Sequence, residues 1–120
     1  MGIRLLAVLL MLAAMPAVAH AMDAQSFYVK GLALQKKGTA AILSPEIRPL
    51  MSEMRSAGKA VKAENDRAKA AGNPLFCIPD NHGMDANKML AEFGKIPSNR
   101  RSKMSVTQAL REILIRRYPC

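Results

Sequence analysis

Four side chains in the C-terminal half of the chain are able to act on a metal, a thiol or a carbonyl: Cys77, Asp80, His82 and Cys120. Cys77 and Cys120 are the only cysteines. A thiolate beside an imidazole is a nucleophile with its base, so Cys77 and His82 together would suit acyl transfer. The same four side chains would offer zinc sulfur, nitrogen and oxygen ligands, although their spacing matches none of the usual zinc patterns. The third chemistry is oxidation of the two thiols to a disulfide. The compartment in which the chain folds decides among the three, because disulfides persist outside the cytoplasm and are rare within it.

The N-terminus names that compartment. Arg4 precedes an unbroken apolar run, Leu5 to Leu12, which Ala13, Ala14 and Met15 extend and Pro16 breaks. Ala19-His20-Ala21 then places small residues where a leader peptidase reads. Residues 1–21 are predicted to be a secretory signal cleaved after Ala21, leaving a single mature domain, residues 22–120, in the periplasm. The apolar run is too short to span a bilayer unaided, so no stable membrane insertion is expected after cleavage. Export turns the even cysteine count into a predicted Cys77–Cys120 disulfide. His82 is then the only histidine of the mature chain and has no thiolate to activate. No phosphate loop, nucleophile elbow or pair of carboxylates on an apolar face occurs. The expectation is a binding protein and not an enzyme, with no catalytic residues, no metal and no cofactor.

Charge bounds the partner. The formal charge of +9 falls to +8 when Arg4 leaves with the leader. A surface of that sign favours acidic partners. Without tryptophan and with three phenylalanines, the chain lacks the aromatic platforms on which bases stack. A protein partner is therefore expected, and nucleic acid is not.

The elements that would position these residues are helical throughout, because apolar side chains recur at three- and four-residue spacing and nowhere alternate. A first helix is predicted from Ala24 to about Lys37, capped by Asp23 and ended by Gly38, with Phe27, Gly31 and Leu34 on one side. Ser44-Pro45 signals a short turn, and the main helix is expected from about Pro49 to about Ala71. Its buried stripe would be Leu50, Met54, Ala57, Val61, Ala68 and Ala71, and Gly72-Asn73-Pro74 would stop it. A third, short helix would follow Asp85, bury Met89, Leu90 and Phe93, and end at Gly94. The last helix carries a capping box, Ser105 with Gln108, and a stripe of Val106, Ala109, Leu110, Ile113 and Leu114. Lys95 to Met104 connects the last two helices. Ser98, Asn99, Arg100, Arg101 and Lys103 in it are the candidate partner-binding residues, exposed side chains with arginines able to grip carboxylates by two hydrogen bonds each.

The stretch Leu75-Phe76-Cys77-Ile78-Pro79, a short helix, Ile96-Pro97 and a capped helix ending in Arg117-Tyr118-Pro119-Cys120 resembles the Rap/Tai family over about residues 75–120. These are small periplasmic immunity proteins that neutralise peptidoglycan amidase toxins delivered by type VI secretion. The resemblance implies an all-α, four-helix bundle with one disulfide, often a homodimer. It further implies that a loop between the last two helices, here residues 95–104, blocks the toxin's catalytic cleft. Two other readings accompany it: a periplasmic chaperone of the acid-stress type, and a basic envelope-associated protein that contacts anionic cell-wall or lipid groups. Nine acidic residues in the chain count against the chaperone, which would rely on carboxylates losing charge.

Overall fold

The computed structural model describes residues 22–80 and 83–120; the expected leader and His82, weighed above as base and ligand, lie outside them. The described residues are all-α, with six helical segments: α1 (Ala24–Lys36), a 3-10 turn (Gly38–Leu43), α2 (Ile47–Ala70), α3 (Ala86–Gly94), α4 (Ser98–Arg101) and α5 (Val106–Arg117). Among them the single strand-like pairing is a bridge between Asp23 and Ser105. It fastens the start of α1 to the start of α5 through Ala24 N–H to Met104 O at 2.9 Å.

The expected caps form. The Asp23 carboxylate accepts from the Ser26 N–H at 2.7 Å, and that of Asp85 from the Lys88 N–H at 2.8 Å. Ser105 and Gln108 make both bonds of the capping box. Each fixes a helix start by giving an otherwise unpaired N–H an acceptor.

Three boundaries differ from expectation. α2 starts at Ile47, two residues ahead of Pro49. Pro49 is third in the helix, where an N–H would have no partner within it, so the missing donor costs nothing there. Ser44 does not cap α2; it closes the 3-10 turn, a segment that the spacing does not announce. Gly94 is the last residue of α3 but is not a left-handed terminator, whereas Gly72 is, at φ 82°. A Cβ on Gly94 would stand 2.8 Å from the Tyr28 hydroxyl, so the glycine is there to admit a neighbour.

The core joins all four longer helices. Ala24, Phe27 and Leu34 of α1 meet Leu50, Ala57 and Val61 of α2, Phe93 of α3 and Val106, Ala109, Leu110 and Ile113 of α5. Phe27 and Phe93 pack with ring centroids 5.0 Å apart. α1 and α3 approach closely at Gly31, where a Cβ would meet the Leu90 Cδ1 at 2.7 Å. The expected stripes hold in their centres and fade at their ends: Ala68 and Leu114 are half-buried, and Ala71 is exposed. No helix among the described residues is long and apolar enough to cross a membrane.

Cys77 and Cys120 form the expected disulfide, with their Cα atoms 4.9 Å apart and 43 residues between them in sequence. Both thiolates are thereby taken out of nucleophilic and zinc chemistry. Closing a loop of that length stabilises the fold by about 4 kcal/mol in the chain-entropy account. The bridge does not act alone. Cys77 N–H donates to Tyr118 O at 2.9 Å, and Phe76 beside it is buried. Asn65 of α2 accepts from the Leu75 and Phe76 N–H groups at 2.8 and 3.2 Å and donates to Phe76 O at 3.0 Å.

Candidate partner-binding site

Residues 95–104 are a helical turn rather than an open connection. Pro97 leads into α4, and the Arg100 and Arg101 N–H groups both donate to Pro97 O at 2.9 Å. Ser102 continues the turn with its N–H on Ser98 O at 3.0 Å and its hydroxyl on Asn99 O at 3.1 Å. A turn this short does not hold by itself, since a helical nucleus fixes several dihedrals for few hydrogen bonds. It is held from beneath.

Arg101 holds it. The side chain expected on the surface is buried, with 7% of the residue exposed. Its Nη1 donates to Phe93 O at 3.2 Å and Gly94 O at 3.3 Å, and also to Ile96 O. Its Nε donates to Gln25 Oε1 at 2.7 Å, and the guanidinium lies 4.2 Å from the centre of the Tyr28 ring. The charge thus rests on the carbonyls at the C-terminal end of α3, where the helix dipole favours a cation, and on an aromatic face. Arg101 therefore fastens α4 to α3 and α1, and the exposure expected of it is not found. Pattern reasoning reads two adjacent arginines as two surface charges; in a helical turn they point about 100° apart, and one of them turns inward.

Arg100 points outward, 52% exposed, and its two Nη atoms each donate at 2.8 Å to Glu112 of α5. The Arg100 hydrogen bonds hold the Glu112 carboxyl below its usual value. Ser98, Asn99 and Lys103 are exposed. Beside them, along the outer side of α5, runs a shallow hollow of about 530 Å³ lined by Lys103, Met104, Gln108, Arg111, Ile115 and Arg116, with Glu112. Arg111 is bound to Glu64 of α2 at 2.6 Å by two hydrogen bonds, which hold that carboxyl down. Arg116 donates at 2.7 Å to Glu92, which is 6% exposed and also receives Lys95 at 2.8 Å; the Lys95 bond, then the Arg116 bond, hold its carboxyl down. Among the described residues, Lys103 is the lining cation with no carboxylate.

The structure places Ser98, Asn99 and Arg100 on α4 and Lys103 just past it, an exposed α4 rim of which Lys103 lines the hollow, and sets Arg101 under it. Sequence reasoning missed the floor of the site, Gln108, Glu112 and Ile115, and the buried carboxylate Glu92. Among the described residues no group of three or more His, Cys, Asp or Glu side chains is placed to hold a metal ion. Comparison with family models, with characterised proteins and with solved structures gives no match.

Proposed function

We propose that the chain is a periplasmic immunity-type protein of the Rap/Tai kind, exported by residues 1–21, which binds a peptidoglycan amidase toxin and blocks its active-site cleft. In this reading α1, α2, α3 and α5 act as the four helices of the bundle, and α4 is the element that the bundle offers to the toxin. The observation that carries it is the construction of α4. An exposed rim of Ser98, Asn99, Arg100 and Lys103 is locked from within by Arg101 and lies inside the segment that the disulfide closes. A surface element ordered before it meets its partner loses less entropy on docking. The resemblance over residues 75–120 supplies the class of partner. The exposed cations of the outer face of α2, Lys59, Arg67 and Lys69, favour a second reading, a protein that contacts anionic groups of the envelope.

Capture from periplasmic extract with the disulfide-bonded protein tests the first reading. The expected outcome is recovery of a peptidoglycan amidase whose hydrolysis of cell-wall fragments the protein stops at equimolar ratio. Arg100→Ala combined with Lys103→Ala should weaken that complex by tenfold or more while lowering the urea midpoint only modestly, because Lys103 has no carboxylate partner among the described residues and the Arg100–Glu112 tie is half exposed. An amidase bound equally well by this variant would take the α4 rim out of the interface. Retention on peptidoglycan or anionic lipid with no amidase captured would favour the envelope reading instead.

A further inference from the structure

On elements other than α4 and α5, a groove of about 680 Å³ opens between α1, the 3-10 turn, α2 and the start of α3. Its floor is apolar: Phe27, Leu34, Leu50, Met54, Met84 and Met89. Apolar side chains also stand in water next to it. Met51 of the lining is 53% exposed, and Ile42 (74%) and Leu43 (88%) directly follow Ala41 of the lining in the 3-10 turn. Three exposed large apolar residues beside one hollow are more than the scattered surface hydrophobes of an ordinary monomer.

We propose that this groove receives an amphipathic helix of a partner protein, apolar on the face that enters and carboxylate-bearing along its flank. Three observations fix that occupant. A small ligand would fill the hollow and leave the exposed part of Met51 in water, whereas a helix lying along the α2 edge covers it and extends toward the 3-10 turn that carries Ile42 and Leu43. The α2 edge of the groove is basic: Arg48, Met51 and Arg55 follow at helical spacing, so they share one stripe, and Met51 and Arg55 line the groove. Among the described residues neither arginine has a carboxylate partner, while the nearby Glu46 is bound to Lys37 at 3.3 Å. A second copy docking by the same face would set its own Arg48 and Arg55 against these two, so like charge opposes self-association through this edge. Methionines suit the role, because unbranched thioether side chains repack around differing apolar surfaces.

The test uses protein exported with its own leader, purified from the periplasm and labelled at the methionine methyl groups. The probe is a synthetic helical peptide of about fourteen residues with leucines along one face and glutamates flanking them. Titration should shift the methyl signals of Met51, Met54, Met84 and Met89 and leave those of Met22 and Met104 in place. The same peptide with lysines in place of the glutamates should bind about tenfold more weakly or worse. Arg48→Glu with Arg55→Glu should reverse that preference, since neither side chain is part of the core. Equal binding of both peptides, or of neither, overturns the proposal. So does a shift of the same four methyls with protein concentration alone, accompanied by a dimer in sedimentation, which would make a second copy the occupant.

Discussion

Arg101 shows how much one side chain can decide. A buried guanidinium without a carboxylate is normally costly, yet here three backbone carbonyls, Gln25 and the Tyr28 ring surround it. The planar fork and the stacking face are both in use, and lysine offers neither. Arg101→Lys is therefore expected to destabilise the protein by about 2–3 kcal/mol, the range for lost hydrogen bonds to a charged group. Urea unfolding with an unchanged slope would check it. A loss below 0.5 kcal/mol, the level of an ordinary surface substitution, would put Arg101 back on the surface. Glu92 is the acidic counterpart: one nearly buried carboxylate receives Lys95 and Arg116, with Arg117 at 3.6 Å. Neither residue is marked in the sequence, because nothing local distinguishes Arg101 from Arg100, or Glu92 from Glu112. The partners that separate them come from 76 residues away in the first case and 24 in the second.

At the scale of elements, legibility followed locality. The caps at Asp23, Asp85 and Ser105 and the stop at Gly72 are interactions within a few residues, and the sequence pattern located them. The disulfide was legible for another reason: a chain with two cysteines has one intramolecular pairing. The 3-10 turn after Gly38 and the α4 turn were not legible, since each takes its conformation from what it packs against. The Asn65 clamp belongs to the same class. A single amide near the C-terminal end of α2 binds three backbone groups of Leu75 and Phe76, so the long helix holds the chain that leads into Cys77. Asn65→Ala is expected to cost about 2–3 kcal/mol, at the scale of two to three net hydrogen bonds. It should also raise amide exchange at Leu75 and Phe76 ahead of global unfolding. Asn65→Asp, which keeps the acceptor and loses the donor to Phe76 O, should fall between Asn65→Ala and the parent. Unchanged exchange at both amides in Asn65→Ala would show that the disulfide, the Cys77–Tyr118 hydrogen bond and the burial of Phe76 hold this segment without the clamp.

For the whole molecule, ion pairs among the described residues tie α5 to three helices: Glu64–Arg111 to α2, Glu92 with Arg116 and Arg117 to α3, and Arg100–Glu112 to α4. In each the carboxyl is held below its usual 4.5, first by the hydrogen bond from its cationic partner, which for Glu92 is led by Lys95. A carboxyl whose value is lower in the folded than in the unfolded chain binds fewer protons when folded. Its stabilisation is complete above the unfolded value and disappears as pH falls through the folded one. Stability should therefore be flat from pH 7 to about pH 5 and fall steadily below about pH 4.5. Net charge acts in the same direction: with all nine carboxylates protonated, self-repulsion opposes the compact state more strongly than at neutral pH. The ties are partly exposed to water, so each contributes modestly, and their sum gives the slope. Urea midpoints at pH 7, 5 and 3.5 are the measurement, with Glu92→Gln as the control. That variant should lose about 1–2 kcal/mol at pH 7, and the difference from the parent should shrink at pH 3.5, below the value at which the carboxyl takes up its proton in the unfolded chain. A parent protein equally stable at pH 3.5 and pH 7 would mean that these carboxylates titrate alike folded and unfolded, and that apolar packing and the disulfide hold α5 without them.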